Sequence, residues 1–366
     1  DGTARLFEFT GSNWLVMSGC DLTGGATDGD GGAILAHGGM LDLADCTFRG
    51  NTARAGAAIA TGADMRLERC GFASNTAAAD GAAIMSAGGD RTFISACSFS
   101  GNSGTSAIAF ASTASGSLAT MVNTTVCGNT GGIRSSLPDN GRLNIVNCTV
   151  ARNEAATAIE AIGGALNLHN NIIVANSALD ASNTGTGKTT SAYNVYTSAS
   201  DISFAAAKGD ITATTHAAGF DAAAAMLGDL TEAGTTCCLP LISPVFDGNA
   251  VNALPYRELN EYAITTDLDG DFRTTTFTYL LTDQLGTERP ADGTATRGAC
   301  EYSATGAADI PAAPAELLED CRIVDLAGHT IAVLGTVSRT EAMAYSGLQP
   351  GIYILCWRGG AAKIRY

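Results

Sequence analysis

The sequence predicts an all-β chain wound as a right-handed, single-stranded parallel β-helix that ends in a short β-rich C-terminal module. Three observations carry that expectation. A block of residues recurs along the first half of the chain. The apolar residues inside each copy alternate with period two, and asparagine, glycine and other small residues fall at fixed places between the alternating runs. Asp45 to Ile59 reads DCTFRGNTARAGAAI, Arg69 to Ile84 reads RCGFASNTAAADGAAI, and Ala96 to Ile108 reads ACSFSGNSGTSAI.

Aligned on these copies, the chain falls into columns. One holds Cys20, Cys46, Cys70, Cys97, Thr124, Cys148 and Asn171. Two residues on is an apolar column of Leu22, Phe48, Phe72, Phe99, Val126, Val150 and Ile173. Three further on stand Asn51, Asn75, Asn102, Asn129, Asn153 and Asn176, with Gly25 in the first copy. A second apolar column holds Ile34, Ile59, Ile84, Ile108, Ile133 and Ile159. Consecutive members lie 23 to 27 positions apart. A leucine-rich repeat has that length but needs L-x-x-L-x-L runs, and helical repeats need an i, i+3, i+4 pattern; neither is present. The runs Met40-Leu41-Asp42-Leu43, Met65-Arg66-Leu67, Leu143-Asn144-Ile145 and Leu166-Asn167-Leu168 have strand period instead.

Each period therefore holds about three short strands. Such a coil cannot bury its own apolar face, but stacked copies can. At about 4.8 Å per coil, seven visible coils make a rod of roughly 34 Å. Phe48, Phe72 and Phe99 then form an interior ladder, with Cys46, Cys70 and Cys97 as stacked, buried, apolar-like fillers. The asparagine column is expected at a turn, where asparagine tolerates left-handed backbone and its amide can bond the next coil. Gly31, Gly56 and Gly81, each before an isoleucine, fit a tight corner with positive φ.

In chain order, 1–180 reads as coils, with an entry strand and first coil over 1–25. Residues 181–302 read as irregular last coils and a cap, 303–320 as an Ala/Pro linker, and 321–366 as a β module. The polar stretch 180–191 is expected to protrude from the rod as a loop. The chain starts at Asp1, as a mature or trimmed form does. It is 46% hydrophobic and 15% charged, with 44 glycines, which suits narrow coils and tight corners. A net charge of −16 argues against nucleic acid and anionic membranes, and no apolar run is long enough to span a bilayer. The eleven cysteines leave at least one thiol unpaired. Cys237, Cys238, Cys300, Cys321 and Cys356 fit no column.

Three family likenesses rest on particular residues. Gly31-Gly32-Ala33-Ile34 with the Phe-x-x-Asn pairs Phe48/Asn51, Phe72/Asn75 and Phe99/Asn102 resembles the repeat of chlamydial polymorphic outer-membrane proteins and of secreted β-helix proteins of Bacteroidota. That resemblance implies a pectin-lyase-like solenoid. Ser243-Pro244-Val245-Phe246-Asp247-Gly248, then Asp283-Gln284-Leu285-Gly286-Thr287-Glu288-Arg289-Pro290 and Gly298-Ala299-Cys300-Glu301, is similar to the terminal segment of choice-of-anchor surface proteins. There it implies closure of the open end of the rod. Asp325-Leu326-Ala327-Gly328, Leu348-Gln349-Pro350-Gly351-Ile352-Tyr353 and the terminal Lys363-Ile364 resemble a type IX secretion C-terminal sorting domain, which implies export and attachment at the cell surface.

Candidate sites are sparse. Glycoside hydrolysis needs paired carboxylates and lyase chemistry needs a base with Ca²⁺ on clustered carboxylates. Asp42, Asp64 and Asp90 fall at similar places in three coils, as do Asp45 and Arg69, with no basic residue stacked on the aspartates. Polygalacturonase-type N-T-D, D-D, G-H-G and R-I-K elements are missing. Asp267, Asp269 and Asp271 are weak Ca²⁺ candidates; an EF-hand would want Gly and Glu where Phe272 and Thr278 stand, so a polar turn is the simpler reading. His37, His169, His216 and His329 lack metal spacing and read as surface or turn residues. A sugar platform would lie near Tyr193, Tyr196, Tyr256, Tyr262 or Tyr279, or else these pack in the cap. The leading expectation is a monomeric, non-enzymatic, secreted or cell-surface protein, adhesin-like or structural, with no cofactor. Its partner would be a polysaccharide or a host or bacterial surface ligand. The alternatives are a polysaccharide lyase or hydrolase and a glycan-binding module without turnover.

Overall fold

The computed structural model describes residues 4–196, 210, 227–241, 282–289, 296–301, 317–324, 330–338, 352–357 and 360–365. The chain divides into two compact units, 1–308 and 309–366. In the first, three eight-stranded sheets run the length of a stack of coils. Every turn of chain contributes one strand to each. We name the sheets for their inward columns. The isoleucine sheet contains Ile34–Ala36 and Ile59–Thr61, the leucine sheet Met40–Ala44 and Asp64–Glu68, and the phenylalanine sheet Thr47–Arg49 and Gly71–Ala73. Neighbouring strands are parallel and in register: Ile34 with Ile59, Leu41 with Met65, Phe48 with Phe72. The fold is the parallel β-helix that the columns predict.

Alternation decides what goes inside. In Met40–Ala44 the second and fourth residues, Leu41 and Leu43, are fully buried, while Asp42 between them points outward and stays partly exposed. In-register pairing sets identical rings over one another. Phe48, Phe72 and Phe99 stack with centroids 4.7 Å apart and planes within 2° and 5°. The column continues through Val126, Val150 and Ile173 to Tyr196.

The corners differ from expectation in one respect. The ladder asparagines are not left-handed; the residue before each is. Gly50, Ser74, Gly101, Gly128, Arg152 and Ala175 carry φ of 55 to 64°. A second left-handed set, Asp45, Arg69, Ala96, Asn123, Asn147, Asn170 and Tyr193, precedes the cysteine column. The turn is made one position earlier, so the asparagine side chain enters the corner with its amide aligned along the stack. Asn75 Nδ2 donates to Phe48 O at 3.0 Å and to Asn102 Oδ1 at 2.9 Å. Asn75 Oδ1 accepts from Asn51 N and Asn51 Nδ2. At the opposite corner Gly31, Gly56 and Gly81 have φ of 71, 58 and 70°, and a Cβ on Gly81 would stand 2.3 Å from Ile84 O.

The cysteine column is made of free thiols. Cys46, Cys97 and Cys148 donate to the carbonyls of Ala44, Ser95 and Val146, two residues back. The column then changes chemistry. Asn171 Oδ1 accepts from Cys148 N at 2.8 Å, and Asn194 Oδ1 accepts from Asn171 N at 2.9 Å. Both ladders end on aspartate. Asn176 Nδ2 donates to Asp180 Oδ1, and Asn194 N donates to Asp210 Oδ1, each at 2.9 Å. Both aspartates are buried.

Residues 180–191 do not protrude. They supply Leu179–Asn183 and Thr189–Ala192, which pair with Thr157–Gly163 and Ala165–His169 as an eighth rung. Their polarity, which reads as a loop, belongs to a ladder terminus and to outward positions. In the second unit Thr330–Ser338, Leu317–Val324, Ile352–Trp357 and Gly360–Arg365 form a four-stranded antiparallel sheet in that order, with Ile323 fully buried. Its first strand begins at Leu317, inside the stretch read as linker.

Replacing Asn102 by alanine removes the acceptor of Asn75 N and Asn75 Nδ2. Two buried donors are then orphaned, at about 1–3 kcal/mol each. Denaturant unfolding should show a loss of about 3–5 kcal/mol, whereas Glu154→Ala, at an exposed corner residue, should stay within about 0.5 kcal/mol of the parent.

Candidate functional site

The outer face of the isoleucine sheet carries the most developed concavity among the described residues, a cleft of about 350 Å³. Its floor is apolar and short: Leu35, Ala60 and Met85 are register neighbours in three successive strands. Ala60 is buried between the longer pair and makes the dip. One wall carries Asp30 and Asp80, which precede the corner glycines Gly31 and Gly81, with Ala55 in the rung between. Two rungs separate the carboxylates by ~9.6 Å. The other wall carries His37 and Thr61.

Arginines occupy both carboxylates. Arg54 Nη2 lies 2.6 Å from Asp30 Oδ2, and Arg134 Nη1 lies 2.8 Å from Asp80 Oδ2 while its Nε reaches Glu160 Oε2 at 3.1 Å. Asp80 Oδ1 also accepts from Ser106 Oγ. At the first coil Glu8 bonds Arg5 and His37, and the His37 hydrogen bond leads the groups that lower its pKa.

The aspartates of the leucine sheet do not form a column. Asp42 stands opposite Arg66, and Asp64 stands opposite Met40. Asp90 precedes its strand altogether. Basic residues do stack on them, against expectation. Arg66 binds Asp42 at 3.2 Å and Glu68 at 2.6 Å, and Arg69 binds Asp45 at 2.8 Å and also Glu68. The Asp45 hydrogen bond is the main cause of the raised pKa of Arg69. Asp64 Oδ1 accepts from Arg91 N. Asp42 and Asp45 thus each meet an arginine side chain one rung on, while Asp64 accepts from a backbone amide.

The outer face of the phenylalanine sheet is covered by segments that follow the coils. The hairpin Thr231–Ala233/Thr236–Cys238 crosses it, with Cys237 N donating to Ser98 Oγ at 2.9 Å and Thr235 Oγ1 to Arg69 O at 2.6 Å. Gly71 lies under this crossing, where a Cβ would come within 1.9 Å of Thr235 O. Asp283 Oδ1 accepts from Leu285 N and Thr287 N, and its Oδ2 from Glu301 N. Gln284 Nε2 donates to Cys97 O and Cys237 O. Arg289, with no exposed side-chain surface, pairs with Glu301 and donates to Thr282 O, Thr296 O, Gly298 O and Asn123 Oδ1. Burial raises the carboxyls of Asp283 and Glu301, with Arg289 opposing it in both. The described residues of the terminal segment thus clasp the flank of the coils. Asp180 and Asp210 terminate the two asparagine ladders.

Compared with known families, residues 8–203 match the model of the right-handed β-helix region. The chain belongs to that family. No curated protein and no solved structure matches it.

Within this right-handed β-helix, Asp267, Asp269, Asp271, Tyr256, Tyr262, Tyr279, His216 and His329 lie outside the described residues. Tyr196 is a core residue, fully buried, whose hydroxyl shares a hydrogen bond with Ser191 Oγ at 2.8 Å. Tyr193 occupies a left-handed corner with its ring edge-on to His169 at 5.6 Å. Neither is a sugar platform. Trp14, 43% exposed on the first rung, is the large exposed ring among the described coils besides Phe7. His169 is buried rather than at the surface. Among the described residues no group of histidine, cysteine and carboxylate side chains gathers as a metal site, and no helix is long and apolar enough to cross a membrane. The cleft is legible only in part beforehand: Asp30 and Asp80 share the position before the corner glycine, but the dip depends on which outward residues are short.

Arg289→Met should strand Glu301 and four acceptors in the clasp, at a cost of about 3–5 kcal/mol. Limited proteolysis should then cut within 282–301 before the coils, and amide exchange should rise around Cys97 and Thr125.

Proposed function

We propose that this right-handed β-helix is a non-catalytic, secreted or cell-surface protein, adhesin-like or structural, whose uncovered sheet faces meet its partner. The observation that carries this reading is the state of the carboxylates. Asp30 and Asp80 at the cleft, and Asp42, Asp45 and Glu68 on the leucine sheet, are each held by an arginine. A glycosidase acid needs a carboxyl poised to give up a proton, and its partner needs an open lone pair facing a substrate. A guanidinium at 2.6–3.2 Å takes up lone pairs that such a role needs open. The floor of Leu35, Ala60 and Met85 offers contact area and no chemistry.

The extracellular part of the proposal is supported by the chlamydial-type and Bacteroidota-type repeat and by the sorting-like motifs of 321–366. The type IX route is the export path those motifs favour. A surface polysaccharide, or a host or bacterial surface ligand, is the partner class proposed for the cleft face.

Two measurements test the reading. Folded protein incubated with a panel of acidic and neutral polysaccharides, with and without Ca²⁺, should release no reducing ends and no unsaturated products. Turnover abolished by Asp30→Asn or Asp80→Asn would overturn it in favour of a hydrolase or lyase. Protease treatment of intact producing cells should release coil peptides; their complete protection would remove the surface assignment.

A further inference from the structure

The clasp holds a pair of thiols that the fold does not otherwise use. Cys238 ends the second strand of the hairpin, and Cys300 lies in the segment after Arg289. They are 0% and 3% exposed and pack together with Ala299, beside Leu285. The two side chains share one small packing cluster. This contact is unlike the cysteine column. There, in-register neighbours project the same way one rung apart, and Cys46, Cys97 and Cys148 each also donate to a carbonyl two residues back. Parallel side chains one rung apart make poor disulfide geometry. Cys238 and Cys300 come from separate segments with no periodic relation to each other.

We propose that Cys238 and Cys300 are a disulfide-forming pair, which in an oxidising compartment cross-links the hairpin at 231–238 to the segment at 296–301. The hydrogen bond from Cys300 lowers the pKa of Cys238 and raises that of Cys300, so Cys238 is the thiol that ionises first. During folding its thiolate attacks one sulfur of a small disulfide such as oxidised glutathione. A mixed disulfide forms and one glutathione thiolate leaves. Cys300 gives its proton to that thiolate and displaces the second glutathione, which takes up the proton that Cys238 gave to solvent. Two protein thiols are oxidised by two electrons, and one small disulfide is reduced to two thiols. The bond would make covalent a junction that Gln284 now holds by hydrogen bonds to Cys97 O and Cys237 O. Cys127 is set apart from this pair, because it packs in a different cluster with Ala151, Ile172 and Leu239.

The proposal rests on the extracellular reading only for where oxidation occurs, so its chemistry is tested in vitro. The full chain is refolded in a reduced/oxidised glutathione buffer, its free thiols are alkylated in denaturant, and the digest is mapped by mass spectrometry. The expected result is one linked peptide pair, Cys238 with Cys300, lighter by two hydrogens, with Cys46, Cys70, Cys97 and Cys148 alkylated. The oxidised protein should melt ~5 °C above the reduced form, and Cys300→Ser should lose both the linked pair and that shift. Full alkylation of Cys238 and Cys300 in the folded, oxidised chain overturns the proposal, as does linkage of Cys238 to Cys127 or Cys237. Should Cys300→Ser fail to fold, the map of the unmutated chain decides alone. Surface exposure is read separately by protease treatment of cells, so failure of one reading leaves the other testable.

Discussion

A buried amide must find every hydrogen-bond partner inside the protein, and in this chain one amide per coil finds them only in the coils before and after. Asn75 reaches back to Phe48 O and forward to Asn102, and it receives both donors of Asn51. Slip the coils by one residue and each of these groups is orphaned together with the ring stack beside it. The ladder therefore holds the three sheets in register, and the register builds the ladders of rings, thiols and charges.

The ladder also has a direction. Each asparagine donates from N and Nδ2 to the Oδ1 of the asparagine in the next coil, and its own Oδ1 accepts from the coil before. A final asparagine needs an acceptor that makes no further demand, and a carboxylate is acceptor-only. Asp180 and Asp210 meet that need for the two ladders. The described parts of the terminal segment clasp the flank of the coils. Its Asp283, Arg289 and Glu301 satisfy backbone amides and carbonyls of a turn and an asparagine of a coil far back in the chain.

Among the described residues, one sheet is covered and the isoleucine sheet is open. The phenylalanine sheet is occupied between Gly71 and Ser98 by the hairpin, and further along by the Gln284 and Gly298 segments. The isoleucine sheet keeps an open cleft, shallow because Ala60 lies between Leu35 and Met85. Along both outer faces, in-register stacking sets acid over base. Asp42 over Arg66 and Asp45 over Arg69 are one rung apart, each carboxylate meeting a guanidinium.

By itself the sequence determined the coil, its three strands, its inward columns and its corner glycines, because each depends on residues a few positions apart repeated at one period. Phe48 over Phe72 and Asn51 over Asn75 follow from period and alternation alone. Residues 180–191 were illegible as a rung because polar ladder ends and polar loops share a composition. The left-handed position shifted by one because asparagine and its predecessor are both compatible with the turn, and only the direction of the amide decides. Tertiary structure alone decided which outward residues meet. Arg134 reaches Asp80 across two rungs, and Arg289 reaches Asn123 from a segment with no periodic relation to the coils. Cys238 meets Cys300 for the same reason. Local pattern encodes what a residue does to its own backbone. Contacts between aperiodic segments are set by how the chain returns across the stack, and nothing near either residue records the other.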